Sequence, residues 1–115
     1  MNELWSRSVA NIHKGRLQEF KRLAEGLLSA IRENDSDTLN YAIFLDEPAR
    51  VAVIVEQYAS SAGWLAHNAN LNALMPRFRG VCEFVETEFY GDPTPDARAA
   101  LDALGGRYYP TLLAL

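Results

Sequence analysis

The chain has 115 residues, 49% of them hydrophobic and 23% charged, which is enough apolar material for one globular core and too little for two. Its formal net charge of -4 and its scattered Lys and Arg residues disfavour a nucleic-acid-binding face, because phosphate binding needs clustered positive charge. The single cysteine, Cys82, excludes an intrachain disulfide, and no segment approaches the roughly 20 apolar residues that span a bilayer, so we expect a soluble, cytoplasmic protein without membrane contact.

The first half of the chain predicts a strand, a helix and a hairpin. Residues 5–12 read as a strand that ends before Gly15. Over residues 16–32 the apolar side chains recur at spacings of three and four, which is typical of a helix with one buried face: Leu17, Phe20, Leu23, Ala24, Leu27, Leu28 and Ile31. Residues 39–45 and the valine-rich run that starts at Val51 predict two strands joined by the polar turn at 46–49.

The second half predicts a helix, a strand and an extension. Ser60 and Ser61 are typical of a helix start, and the helix is expected to run to about Asn70. A short helical piece surrounds Pro76, and residues 81–90 predict a fourth strand. We therefore divide the chain into a domain at residues 1–92 and a C-terminal extension at 93–115, formed by a short helix and an apolar tail.

The predicted order β-α-β-β-α-β is typical of an α+β, ferredoxin-like fold, in which two helices cover one face of a four-stranded antiparallel sheet. The central strands carry apolar side chains on both faces, so the second face needs a cover. We expect a homodimer in which two such sheets pack face to face. The apolar tail at residues 108–115 is expected to pack on the partner or over the mouth of a pocket.

Four side chains of types that take part in catalysis and ligand binding are predicted to lie together. Alternation along the strand places Glu56 and Tyr58 at the end of one face. In the following helix Trp64, His67 and Leu71 share one face by their spacing. If this helix folds back on the strand, Glu56, Tyr58, Trp64 and His67 line one pocket.

Four segments resemble the antibiotic biosynthesis monooxygenase family of dimeric α/β barrels: WSRSVANIHKGRLQEFK, TLNYAIFLDE, VIVEQYASSAGWLAH and EFYGDPTP. The most specific part is a strand that ends in Glu-x-Tyr, followed by small polar residues and a helix with His, here Glu56, Tyr58 and His67. The resemblance covers residues 5–95 and implies a ferredoxin-like dimer. For some members it implies an enzyme that oxidises polycyclic phenols to quinones with O2, without metal or organic cofactor.

Such an oxidation needs an apolar pocket, a base near the phenolic hydroxyl and donors that stabilise the anion. His67 is the candidate base because an imidazole ordinarily titrates near neutrality, and Glu56 is expected to orient it. Four further side chains on adjoining elements are candidates for substrate contact: Tyr58, Trp64, Asn11 and Asn40.

Two other interpretations of the same residues stay open. A haem-binding or haem-degrading relative would use His67 as an axial ligand, although Tyr58 stands where those relatives carry Trp. In a non-catalytic dimer that binds a small molecule, His67 and Glu56 would only satisfy each other within the fold.

Overall fold

A computed structural model describes residues 3–115 of the protein, and within this range it contains five strands and four helices. The strands are β1 (Leu4–Ile12), β2 (Thr38–Asp46), β3 (Val51–Tyr58), β4 (Cys82–Gly91) and β5 (Arg107–Tyr109). The helices are α1 (Leu17–Asn34), α2 (Ser61–Leu71), α3 (Met75–Arg79) and α4 (Pro95–Ala103). The sheet order is β2-β3-β1-β4-β5, and the first four strands are antiparallel. The predicted ferredoxin-like α+β fold is therefore confirmed.

The main core lies between the sheet and α1. Ala10 of β1 pairs with Ala52 of β3, and both are fully buried on the helix-facing side. Small side chains at this pair let the helix layer approach closely, and α1 fills the space with Phe20, Leu27 and Ile31. The edge of the Phe20 ring meets Phe78 of α3, with ring centroids 5.9 Å apart. The spacing of three and four along α1 therefore correctly predicts the buried face of this helix.

A register shift between Val9 and Ala10 changes the alternation along β4. Simple alternation places Cys82 and Phe89 on opposite faces of a strand. Because the shift adds one residue to β4, Cys82 pairs with Ile12 and Phe89 pairs with Ser6, and all four side chains are buried. Because of this bulge, the Phe89 side chain lies in a second core, beside α4. The alternation of the sequence alone predicts that Phe89 lies on the opposite face of the sheet.

That second core joins the end of β3 to the C-terminal helix. Its buried members are Leu4, Tyr58, Trp64, Phe89, Ala97 and Leu101. After α4 the chain passes Gly106, where an added Cβ would collide with the Phe89 ring, and then pairs in parallel with β4 as β5. The sequence predicts only an apolar tail here, because three residues of strand are too few to produce a pattern. Beyond β5, Leu112 is 90% exposed.

The face of the sheet opposite the helices carries an uncovered apolar row. Phe44, Val53 and Val9 lie side by side across three strands. Phe44 is 60% exposed, and Trp5 on the same face is also exposed. Such a surface suits the face-to-face dimer that the sequence predicts, which stays a prediction. Among the helices of residues 3–115, none combines the length and apolar character needed to cross a membrane.

Candidate functional site

A buried polar cluster lies where the end of β3 meets α2 and the C-terminal end of α1. Strand β3 contributes Glu56 and Tyr58, and α2 contributes His67. His67 Nε2 lies 3.6 Å from Glu56 Oε1, so the structure brings together the two residues that the sequence predicts as catalytic. Both are on the helix-facing side, which the alternation of β3 requires.

Local sequence explains why α2 holds His67 against this end of the sheet. Ser60 caps the helix, because its Oγ accepts a hydrogen bond from the Gly63 backbone N–H at 3.1 Å. Gly63 packs against Asp37 so closely that an added Cβ would lie 2.6 Å from the Asp37 Cβ. The Ala59 N–H also donates to the Asp37 carbonyl oxygen at 2.9 Å. These contacts bring the start of α2 onto the loop that follows α1.

Asp35, at the C-terminal end of α1, is the partner of His67 that sequence reasoning missed. Its Oδ2 lies 2.5 Å from His67 Nδ1, and both side chains are 3% exposed. Asn70 donates to Oδ1 at 2.6 Å and Thr38 donates to Oδ2 at 3.2 Å. Burial alone would raise the pKa of Asp35, but these hydrogen bonds and the positive charge of His67 together hold that pKa below its ordinary value. Asp35 is therefore ionised and fixes the orientation of the imidazole.

Glu56 differs from Asp35 in the direction of its pKa shift. Burial raises the pKa of Glu56, and hydrogen bonds from Tyr58 and Ser6 together with the charge of His67 offset only part of this effect. The Tyr58 hydroxyl donates to Glu56 Oε1. Burial and the adjacent carboxylate raise the pKa of Tyr58 far above its ordinary value, so Tyr58 stays a neutral donor. The cluster thus contains two carboxylates whose pKa values are shifted in opposite directions.

Two tyrosine rings lie close to the imidazole. The ring centroids of Tyr58 and Tyr41 lie 5.1 and 5.5 Å from that of His67. Burial and the nearby carboxylates raise the pKa of Tyr41 well above its usual value. Tyr41 pairs with Glu56 across the hairpin. The signal was present in the sequence, since residues 41 and 56 are equally distant from the turn that joins the two strands.

The structure does not bring the other three predicted contact residues into this cluster. Trp64 packs in the second core, where its ring meets Phe89 edge to face at 6.2 Å. Asn40 donates to the Gln57 side chain at 2.5 Å, on the face of the sheet opposite Glu56. Asn11 is exposed and pairs with Val51, at the far end of β3. The helical spacing correctly predicts that Trp64 lies on α2 with His67. The C-terminal helix α4 covers the Trp64 side chain.

Two surface clefts lie away from the cluster. One, of about 590 Å³, is lined by Arg16, Arg22 and Arg77 beside the start of α1. The other, of about 520 Å³, lies between the C-terminal tail and the Trp5 and Tyr90 side chains. Within residues 3–115, every buried side-chain nitrogen and oxygen has a hydrogen-bond partner, so the cluster is a closed network in this conformation.

The residues around His67 do not fit a haem group. An axial histidine needs a free Nε2, whereas this atom faces Glu56 at 3.6 Å and two tyrosine rings lie close to the imidazole. Among the described residues no group of three or more His, Cys, Asp and Glu side chains is arranged to hold a metal ion. The predicted haem alternative therefore has no support in the geometry.

Fold and site together define a ferredoxin-like α+β protein with a buried acid–base cluster between helix and sheet. The sequence model of the antibiotic biosynthesis monooxygenase family matches residues 9–79, and the chain belongs to that family. No curated protein sequence matches the chain.

Solved structures share the fold at low sequence identity. MupZ from Pseudomonas fluorescens superposes with a TM-score of 0.87 at 14% identity, over 100% of this chain and 94% of MupZ. Rv0793 from Mycobacterium tuberculosis has a TM-score of 0.68 at 9% identity, over 76% of this chain and 92% of its own. SnoaB from Streptomyces nogalater, a cofactor-independent oxygenase, has a TM-score of 0.66 at 10% identity, over 82% of this chain and 96% of SnoaB. At these identities the similarity concerns the fold alone.

Proposed function

We propose that this protein is a cofactor-independent monooxygenase that oxidises an aromatic or quinol-type small molecule with O2. The observation that carries the proposal is the buried cluster of the polar side chains Asp35, His67, Glu56 and Tyr58, in a member of this family. Buried titratable groups with shifted pKa values are typical of acid–base sites. The relative SnoaB, an oxygenase without cofactor, supports the same class of reaction.

The reaction needs a proton acceptor more than it needs a redox group. A phenol that loses its hydroxyl proton becomes electron-rich enough to reduce O2 itself. The ring carbon then forms a bond to oxygen, and protonation gives a hydroperoxide. When the O–O bond breaks, the C–H electron pair forms the new carbonyl, and the departing hydroxide and the C–H proton combine as water. In sum, one phenol and one O2 give one quinone and one water, and four electrons pass from the phenol to oxygen.

The chain's own residues supply the proton transfers. Glu56 and His67 form the acid–base pair, and Asp35 holds the imidazole. Tyr41 and Tyr58 supply flat walls against which an aromatic ring would pack once the helix layer opens. Opening is part of the proposal, because the cluster is closed in this conformation.

The quaternary state belongs to the same proposal. A second copy packed on the Phe44, Val53 and Val9 row would cover the apolar face of the sheet. Residues 110–115 leave the edge beside β5 with Leu112, Leu113 and Leu115 exposed, so we propose that this tail packs on that second copy. We also propose that residues 93–115 are an extension of the ferredoxin-like unit, with α4 and β5 packed on that unit.

The test is oxygen consumption by the purified protein with a panel of hydroquinones, naphthols and anthrones and no added cofactor. We expect uptake that is unaffected by a metal chelator and that falls at least tenfold in Glu56→Gln. The exposed carboxylate variant Glu83→Gln controls for the lost charge. Uptake that persists undiminished in Glu56→Gln would move the reaction away from the cluster.

The closed network also favours a second candidate function, a non-catalytic small-molecule-binding dimer. In that case the cluster stabilises the fold, and ligands bind in one of the two clefts outside it. A thermal shift caused by a phenol and retained in both Glu56→Gln and His67→Gln, without oxygen uptake, would favour this function.

A further inference from the structure

We infer that Glu56 is the proton acceptor that contacts the substrate, and that His67 and Asp35 are positioning residues behind it. This assignment rests on the proposed function and reverses the roles that the sequence predicts, in which His67 is the base and Glu56 orients it. The assignment follows from the contacts that Glu56 and His67 already make and from the exposed fraction of each side chain.

His67 is the less accessible of the two side chains. Its Nδ1 lies 2.5 Å from Asp35 Oδ2, and its Nε2 faces Glu56 Oε1 at 3.6 Å. Tyr41 and Tyr58 lie against its ring. A general base must come within about 2.6–3.2 Å of the proton it removes, directly or through one water. With a side chain that is 3% exposed, the imidazole meets protein on each of these sides.

Glu56 differs from His67 in its exposed fraction and in the contacts of its polar atoms. Its side chain is 12% exposed, four times the exposed fraction of His67. The contacts from Tyr58 and His67 both fall on Oε1, so we place the proton transfer on Oε2, which neither of these two residues contacts. The adjoining Ser6 hydroxyl is a further hydrogen-bond partner of this carboxylate.

The environment of Glu56 also suits a base. Burial raises the pKa of Glu56 above that of an ordinary carboxylate, and a base is more effective when its pKa lies closer to that of the acid it deprotonates. The nearby His67 acts on the pKa of Glu56 in the opposite direction and offsets part of the effect of burial. Asp35 in turn holds the imidazole next to Glu56.

The proton can be followed through the step. The phenolic O–H bond breaks, its electron pair stays on the phenolate oxygen, and the proton passes to Glu56 Oε2. After the ring carbon has bonded to O2, neutral Glu56 returns the same proton to the terminal peroxide oxygen. The carboxylate is then regenerated, and no proton passes through His67.

The test compares Glu56→Gln and His67→Gln by kcat/KM for oxygen uptake across pH, with His13→Gln, which changes the exposed histidine, as the matched control. We expect Glu56→Gln to lose about 100-fold or more. His67→Gln should lose less, and the rising limb of its pH profile should move to higher pH, because the charge that lowers the pKa of Glu56 is gone. A His67→Gln loss equal to or larger than that of Glu56→Gln would overturn the assignment.

A second measurement needs no turnover and separates failure of the inference from failure of the proposed function. The δ-carbon of Glu56 is followed by NMR in protein carrying 13C-labelled glutamate. We expect it to titrate above the range of free glutamate, and to move higher in Tyr58→Phe, an isosteric change that removes one hydrogen bond to the carboxylate. If the wild type takes up no oxygen, the proposed function fails, and this titration alone decides the state of Glu56. An ordinary titration that Tyr58→Phe leaves in place overturns the inference.

Discussion

His67 Nδ1 lies 2.5 Å from Asp35 Oδ2, although 32 positions separate the two residues in sequence. The contact joins the C-terminal end of α1 to the middle of α2, and Asn70 of α2 also donates a hydrogen bond to Asp35. Because both side chains are buried, the pair links the stability of the helix layer to the geometry of the candidate site.

His67→Ala should destabilise the fold, because it leaves the buried Asp35 carboxylate without its charged partner. We expect the free energy of unfolding to fall by about 1–3 kcal/mol or more, as for other buried polar groups that lose a partner. Chemical denaturation measures this value. His13→Ala, at an exposed position, should stay within about 0.5 kcal/mol of the wild type. Equal values for the two variants would mean that the Asp35–His67 contact adds nothing to stability.

Asp35→Asn and Glu56→Gln should change the pH dependence of stability in opposite directions. The pKa of Asp35 is lowered in the folded state, so its contribution is present above the unfolded pKa of about 3.9 and is lost as pH falls through the folded pKa. The pKa of Glu56 is raised, so its contribution is complete below about 4.3 and is lost as pH rises through the folded pKa.

Relative to the wild type, Asp35→Asn should therefore be least stable near neutrality, and its deficit should shrink in acid. Glu56→Gln should gain relative stability as pH rises from about 4 to 7. Urea denaturation at several pH values measures both differences. Parallel curves for the two variants would contradict the opposite pKa shifts.

Gly63→Ala should weaken the approach of α2 to the loop after α1, since the added Cβ would lie 2.6 Å from the Asp37 Cβ. We expect a cost of about 1–3 kcal/mol, as for other overpacked sites. Gly26→Ala in α1 is the matched control, because nothing lies within 4 Å of its added Cβ, and it should stabilise the protein by about 0.4–1 kcal/mol. Thermal denaturation compares them, and a Gly63→Ala melting temperature at or above that of the control argues against this tight contact.

Trp64→Ala should lower stability by about 3–5 kcal/mol, because the indole fills the second core against Phe89. It should not remove ligand binding by the protein that stays folded, since the indole packs against Phe89 in the second core. Thermal shift and calorimetric titration with a naphthol measure the two effects separately. A stable Trp64→Ala protein that no longer binds the naphthol would return Trp64 to the substrate-contacting role that the sequence predicts.

Deleting residues 110–115 removes the exposed leucines and leaves β5 in the sheet. If the tail packs on a second copy, the truncated protein should dissociate at higher concentration than the full chain, as sedimentation equilibrium measures. Leu112→Ser combined with Leu113→Ser should act in the same direction without shortening the chain. An unchanged dissociation constant in both proteins would assign the tail no part in the dimer.

Local pattern was sufficient to predict the ferredoxin-like fold and the meeting of Glu56 with His67. Alternation along β3 and the spacing of α2 each determine a face, and the order of elements brings the two faces together. The contact of Asp35 with His67 was not predicted, because a residue in a polar turn carries no periodic signal. Only the tertiary structure shows this contact. The burial of Phe89 was not predicted because of the bulge in β4. Strand β5 was not predicted because it is only three residues long.

The measurement that tests the proposed oxygenase activity most directly is the fate of labelled oxygen. The protein is incubated with a naphthol and 18O2 in unlabelled water, and the quinone is analysed by mass spectrometry at early times, before its carbonyl oxygens exchange with solvent. We predict one 18O atom in each quinone molecule, a yield of one quinone per O2 consumed, and loss of both in Glu56→Gln. Unlabelled quinone, or hydrogen peroxide formed in equal amount to the quinone, would contradict oxygen insertion at this site.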